Sequence, residues 1–173
     1  MRHTRAMPTW LAWAAALAAQ GAFWKCEAAA PAVARWNVAT MGAVADGATD
    51  VTAVFQKALD AARDAGGGIV EVPAGRYCLR GTLSIPRGVT LQGTYRVPPN
   101  AGRKTNAEPD GSVLLAYAGR GQADGLPFIR LAGTNAAIAG LVIIYPEWKQ
   151  SDVPPVPYPP CVESQHTENV GVL

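Results

Sequence analysis

Residues 69 to 93 read as four short apolar runs, each cut off by glycine or proline: "IVEV" stops at Pro73, "RYCL" at Gly81, "TLSI" at "PRG" and "VTLQ" at Gly93. Val70 and Val72, Leu83 and Ile85, and Val89 and Leu91 alternate with polar neighbours, the period of a strand with one buried face. No stretch between these runs is long enough for a crossover helix. A doubly wound sheet is therefore disfavoured, and a solenoid of strands or a sandwich remains.

The pattern continues downstream. "VLLAY" at 113–117, "PFIRL" at 127–131, "AAIAGLVIIY" at 136–145 and "ENVGVL" at 168–173 are further strand-like pieces. "GTLSIPRGVTLQG", "PFIRLAGTNAAIAGLVI" and "ENVGVL" share apolar alternation, a glycine break and renewed alternation, as expected of stacked coils. Two stretches interrupt the pattern: 94–112, with few large apolar groups, and the proline-rich 146–160. Both are expected to be exposed loops.

One helix stands out. Val51, Val54, Phe55, Ala58, Leu59, Ala62 and Ala65 recur at intervals of three and four, which predicts an amphipathic helix over 51–65 ended by Gly66–Gly68. The stretch before it, "GAVADGATD" at 42–50, holds Asp46, Gly47 and Asp50. Two carboxylates suit a hard cation, but they lack an EF-hand's spacing and a partner glutamate. A turn at Asp46-Gly47 and capping of the helix by Thr49 or Asp50 account for these residues without a metal.

Residues 1–30 form a separate segment. Arg2, His3 and Arg5 precede an unbroken apolar run from Trp10 to Ala19, and "EAAA" at 27–30 offers small residues for cleavage. This predicts a secretory signal peptide and a secreted, periplasmic or cell-surface protein; the run is shorter than a membrane span. Lys25 before Cys26 departs from a lipoprotein signal. Without this segment the 15 basic and 13 acidic residues of the chain become twelve of each. No basic stripe is left to suggest a nucleic-acid partner. Cys78 and Cys161 remain, either paired in an oxidising compartment or separate.

The residues from 37 to 93 carry a family likeness. Gly42-Ala43, Asp46-Gly47, Asp50, Thr52, Phe55, Gly67-Gly68, "VPAG" at 72–75, Tyr77, Leu83, Gly88-Val89, Leu91 and Gly93 resemble the opening of pectate-lyase-superfamily proteins related to rhamnogalacturonases, polygalacturonases and some beta-glucanases. Ala45, where the family commonly has glycine, and Val51, where it commonly has a second aspartate, depart from that pattern. "GLVIIYPEW" and "VPPVPYPP" look like a bacterial sub-branch. The resemblance implies a mainly β chain, a right-handed parallel β-helix whose N-terminal end is covered by the 51–65 helix, with residues 31–173 forming that cap and the first coils. It also puts Asn169 at a place where such folds turn a corner.

The resemblance further implies a carbohydrate-active parent, a glycoside hydrolase or polysaccharide lyase acting on pectin-like polysaccharide. A non-catalytic adhesin or spike and a β-helix sugar epimerase are the alternatives. No cofactor is evident; calcium is expected only in a lyase-type parent. The candidate substrate-binding residues are Tyr145, Glu147, Trp148, Asp152 and Tyr158, because aromatic faces pack on sugar C–H surfaces and carboxylates bind hydroxyls. Packing of the aromatics within a proline-pinned loop is the competing reading. No catalytic residue is assignable, since the clustered aspartates or basic sets of the family's enzymes have no counterpart here, and the chain is expected to be an incomplete and inactive portion.

Overall fold

The structure, a computed structural model, describes residues 33–95, 111–164 and 168–172. The expected signal peptide at 1–30 and the middle of the 94–112 loop lie outside the described residues. Twelve strands and one helix follow in chain order: β1 (Arg35–Asn37), β2 (Asp46–Asp50), α1 (Thr52–Asp64), β3 (Gly68–Val72), β4 (Gly75–Leu79), β5 (Leu83–Ile85), β6 (Val89–Gly93), β7 (Ser112–Ala116), β8 (Ile129–Leu131), β9 (Ala137–Ala139), β10 (Leu141–Ile144), β11 (Val162–Ser164) and β12 (Gly171–Val172).

Every named strand pairing is parallel. Sheet A runs β1-β3-β6-β9-β12, sheet B runs β10-β7-β4-β2 and sheet C runs β11-β8-β5. The chain visits the sheets in the order A, B, C three times in succession from β3, which is a parallel β-helix. Only the first turn differs: after β1 and β2, helix α1 occupies the place of a sheet C strand.

Register stacks like on like inside the coils. Val70, Leu91 and Ile138 align in sheet A, Tyr77, Leu114 and Ile143 in sheet B, and Leu83, Ile129 and Val162 in sheet C. All but Ile143 and Val162 are buried, and they join Phe55, Ala58, Leu59 and Ala62 of α1 in one core. Phe55 meets Tyr77 edge to face, with ring centroids 5.3 Å apart. Burial of this continuous stack is what offsets the entropy of ordering so many short strands.

Corners are set by backbone conformation. From sheet C to sheet A the chain turns at Gly88, Asn135 and Asn169, all with positive φ (71°, 59° and 52°). Gly88 donates to the Thr134 carbonyl and Asn135 to that of Glu168, so the corners are themselves hydrogen-bonded. Asparagine tolerates this left-handed region better than other non-glycine residues. From β9 to β10 a single residue, Gly140 (φ 64°), makes the corner, and a Cβ there would lie 2.7 Å from the Gly93 carbonyl oxygen. This residue splits the run 136–145 into strands of two different sheets.

Helix α1 does more than cover apolar surface. Leu83 and Ile85 spend their backbone groups on the β8 side, which leaves the Ser84 amide and carbonyl pointing toward α1. The Gln56 side chain meets both: its Oε1 accepts from Ser84 N (3.0 Å) and its Nε2 donates to Ser84 O (3.2 Å). One glutamine thus replaces the missing strand at the edge of sheet C.

Several expectations are corrected here. The 46–50 segment pairs with β4 as an edge strand of sheet B, and the expected turn at Asp46-Gly47 lies inside it, where the register shifts and Gly47 takes a positive φ. Strands are not limited to one buried face: all five residues of β7 are buried, Ser112 included. Ser112 is also strand rather than loop, with Oγ donating to the Val72 carbonyl (2.6 Å) and accepting from Thr94 N (2.8 Å). Strand β11 arises from "VES", which has no alternating apolar signal and is held by pairing with β8. Cys78 and Cys161 are both free.

Candidate functional site

The connections differ sharply by corner. Turns from sheet C to sheet A are short, at 65–67, 86–88, 132–136 and 165–170. Those bordering sheet B include all the long ones: 94–111 on the side of sheet A, and 117–128 and 145–161 on the side of sheet C. Sheet B is therefore the sheet at whose borders the long connections lie.

The outer face of sheet B is apolar on β7 and β10 and largely covered. Pleating turns Leu114 and Ala116 into the core and Val113 and Leu115 outward. Val113, Leu115 and Val142 form a second buried cluster, with Tyr117 and Ile144 packed against it. Cys78 lies beside Leu115 in register and is also buried. None of the four aliphatic side chains on the outer face of β7 and β10 can transfer a proton.

The two loops toward sheet C are stacked and tied together. The Arg120 guanidinium bonds the Asp152 carboxylate at 3.0 Å, and Gly121 N donates to the Pro157 carbonyl at 2.8 Å. Arg120 is held more basic than usual, chiefly by the Asp152 hydrogen bond. Tyr145 stands between Phe128 and Tyr158, with ring centroids 6.3 Å and 4.8 Å away and all contacts edge to face. The Tyr145 and Tyr158 hydroxyls are buried without a hydrogen-bond partner of normal geometry. Burial first, then the Cys161 sulfur beside it, pushes the Tyr145 phenol above its ordinary range, so it stays protonated at any physiological pH.

Of the five candidate residues from the sequence, the structure brings three together. Tyr145, Asp152 and Tyr158 hold the loop pair in shape, and Glu147 and Trp148 are exposed, Trp148 by 57%. Among the described residues no group of three His, Cys, Asp or Glu side chains is placed to hold a metal ion, and no helix among them is long and apolar enough to cross a membrane.

Asp46 and Asp50 sit on β2 at the start of sheet B. Asp46 accepts from the amides of Ala48 and Thr49 (both 2.8 Å) and from Thr49 Oγ1 (2.6 Å) around Gly47, whose φ is 71°. The Thr49 hydroxyl, then the two amides, hold its pKa down at about 2. Asp50 is raised by burial, but bonds from the Thr52 hydroxyl and amide, the Arg80 amide and the Arg80 charge bring it below the ordinary carboxylate range. The N-cap of α1 is Val51, with no side-chain bond. Asp50 reaches instead over it to the amide and hydroxyl of Thr52 at 3.0 Å and 2.6 Å. These carboxylates are consumed by their own backbone.

Sequence reading missed Arg80 and Tyr117. The Arg80 amide is fixed by Thr52 Oγ1 (2.9 Å), and its guanidinium carbon lies 5.0 Å from the Tyr117 ring centroid, a cation–π contact at the same rim. They are 37 positions apart, and only the one-coil register of Leu79 with Ala116 makes them neighbours.

Residues 35–130 match the sequence model of rhamnogalacturonase A/epimerase, pectate lyase-like proteins. The chain belongs to this family. Among the family's relatives, mannuronan C5-epimerase AlgE3 of Azotobacter vinelandii is 54% identical over 46 residues, covering 27% of this chain and 2% of that protein. Mannuronan C5-epimerase AlgE4 of the same organism is 43% identical over 65 residues, covering 34% of this chain and 12% of the relative. Its alginate lyase 7 is 50% identical over 46 residues, 27% of this chain and 5% of the relative. Among solved structures, the AlgE4 A-module aligns with a TM-score of 0.45 at 28% identity, over 64% of this chain and 29% of the module. The AlgE6 A-module, also from Azotobacter vinelandii, aligns with a TM-score of 0.46 at 20% identity, over 80% and 40%. This pectate lyase-like chain therefore spans a small part of each curated relative named here.

Proposed function

We propose that this chain is part of a polysaccharide-modifying enzyme acting on a uronan of the alginate type, with C5 epimerisation favoured over hydrolysis or elimination. The observation that carries the proposal is the 52–54% identity over 46 residues to mannuronan C5-epimerases. The match to an alginate lyase is chemically consistent with it. Both reactions begin by removing the proton on the carbon beside the uronate carboxylate, and they part only afterwards, when the epimerase returns a proton to the opposite face and the lyase expels the neighbouring oxygen. The pectin-directed hydrolase reading has less support, since hydrolysis rests on two carboxyl groups across the bond and the named relatives are epimerases and a lyase.

In this reading the loops 117–128 and 145–161 form a wall along which the polymer lies. Trp148 and Glu147, exposed on that wall, are the residues placed to meet sugar; Tyr145, Tyr158 and the Arg120–Asp152 pair keep the wall rigid. The outward side chains of β7 and β10 are aliphatic and, Ile144 apart, buried, so proton transfer falls to residues on other coils. Export through the 1–30 leader belongs to the same proposal.

The test is incubation of polymannuronate in D2O with the native protein that carries this chain. Solvent deuterium at C5 of inverted residues, with no unsaturated ends, is expected. Unsaturated ends without exchange into intact polymer would make it a lyase, and new reducing ends on galacturonan a hydrolase. Binding with no chemistry on either polymer would leave only the adhesin reading.

A further inference from the structure

The outer face of sheet A carries a polar row apart from the loops that border sheet B. Register places Asn37, Glu71 and Gln92 side by side on β1, β3 and β6, while the residues before them, Trp36, Val70 and Leu91, pack into the core. Arg35 forms an ion pair with Glu71 on exposed side chains, and Asn37 Oδ1 accepts from Ala39 N at 2.9 Å. With Thr94 these residues line a cavity of about 340 Å³ where sheet A turns toward sheet B. Tyr95, the next residue, is 52% exposed.

Neighbouring strands lie about 4.8 Å apart, close to the length of one pyranose unit in an extended chain. An amide, a carboxylate and an amide in that row offer donors and acceptors at a matching repeat. Arg35 and Glu71 cancel each other's charge, so the row suits hydroxyls rather than a lone carboxylate. A small polar concavity with an exposed aromatic residue adjoining it has the composition that sugar hydroxyls and C–H faces meet.

We propose that this cleft is a second saccharide site, taking a hydroxyl-rich pyranose chain, neutral or uronate, along the axis of the β-helix. It stands apart from the loops 117–128 and 145–161 and does not rest on the epimerase reading. The test is an NMR titration of the 15N-labelled 173-residue chain with mannohexaose and, separately, with a mannuronate hexamer. Both are expected to shift the Asn37, Gln92 and Thr94 resonances, with half-saturation on the order of 1 mM and little dependence on salt. Gln92→Ala is expected to weaken binding about three- to tenfold, the loss of one or two hydrogen bonds, with no change in thermal midpoint; Tyr95→Ala, removing a stacking face, acts in the same direction. The proposal is overturned by an absence of shifts, by shifts confined to 117–128 and 145–161, or by an affinity that Gln92→Ala leaves unchanged. Binding of the uronate alone that fades with salt would overturn it too, by showing recognition of charge. Loss of this site would leave the deuterium-exchange result untouched, so the two proposals fail separately.

Discussion

Replacing Gln56 by methionine removes both hydrogen bonds to Ser84 while keeping side-chain length and helix propensity nearly constant. The two bonds, 3.0 and 3.2 Å long, satisfy a backbone amide and carbonyl that have no strand beside them. Each such bond contributes about 0.5–1.5 kcal/mol net, and a buried group left without a partner costs about 1–3 kcal/mol. Gln56 and Ser84 are both half-buried, so water recovers part of that loss, and about 2 kcal/mol is the expected cost. For a chain of this size that lowers the thermal midpoint by roughly 6 °C.

Urea unfolding of the wild type and Gln56→Met should show a lower midpoint with an unchanged slope, since the surface exposed on unfolding is the same. Hydrogen exchange adds a local readout: the Ser84 amide should lose protection beyond the global change, while Leu83, bonded on the β8 side, tracks global stability. Gln56→Glu separates the two bonds, because a carboxylate still accepts from Ser84 N but repels its carbonyl, and it should fall at least as far as methionine. A Gln56→Met protein within about 0.3 kcal/mol of wild type, with Ser84 still protected, would refute the role of α1 as a stand-in strand.

Leu114→Ala, at the centre of the Tyr77–Leu114–Ile143 stack, should cost about 3 kcal/mol because the packed coil cannot collapse around the cavity; chemical denaturation measures it. Asn135→Ala should cost about 1 kcal/mol and Asn135→Gly much less, since the position holds a positive φ that alanine resists. The Thr49 hydroxyl and the loop amides hold Asp46 at about 2, below the ordinary carboxylate value of 3.8, so its contribution to stability is complete above 3.8 and is lost as pH falls through 2. A 13C titration of its carboxyl should find that low midpoint, and Thr49→Ala should move it upward.

Much of the fold was legible in residues 37–93. Alternation located β3 to β6, and the three- and four-residue spacing located α1 within a residue or two of its ends. The loop wall was less legible. Aromatics and prolines at 145–160 flagged a special segment, but the same letters serve a sugar platform or a packed loop, and only the centroid distances of Tyr145 to Phe128 and Tyr158 separate those roles. Arg80 with Tyr117, Arg120 with Asp152, and Asn37 with Glu71 and Gln92 carry no local signal, because each partner belongs to a different coil.

The sequence by itself determined the unit of this molecule: short strands that bury alternate residues, corners that demand glycine or asparagine, and one amphipathic helix. These are local properties, settled by sterics and hydrophobic period within a few residues. Tertiary structure decided which residues meet from coil to coil. It made "DGATD" an edge strand, aimed Gln56 at the open backbone of Ser84, buried both faces of β7, and gathered the long loops around sheet B. Those outcomes depend on parallel register across twenty to forty residues of chain, a distance over which composition and periodicity hold no information about contact.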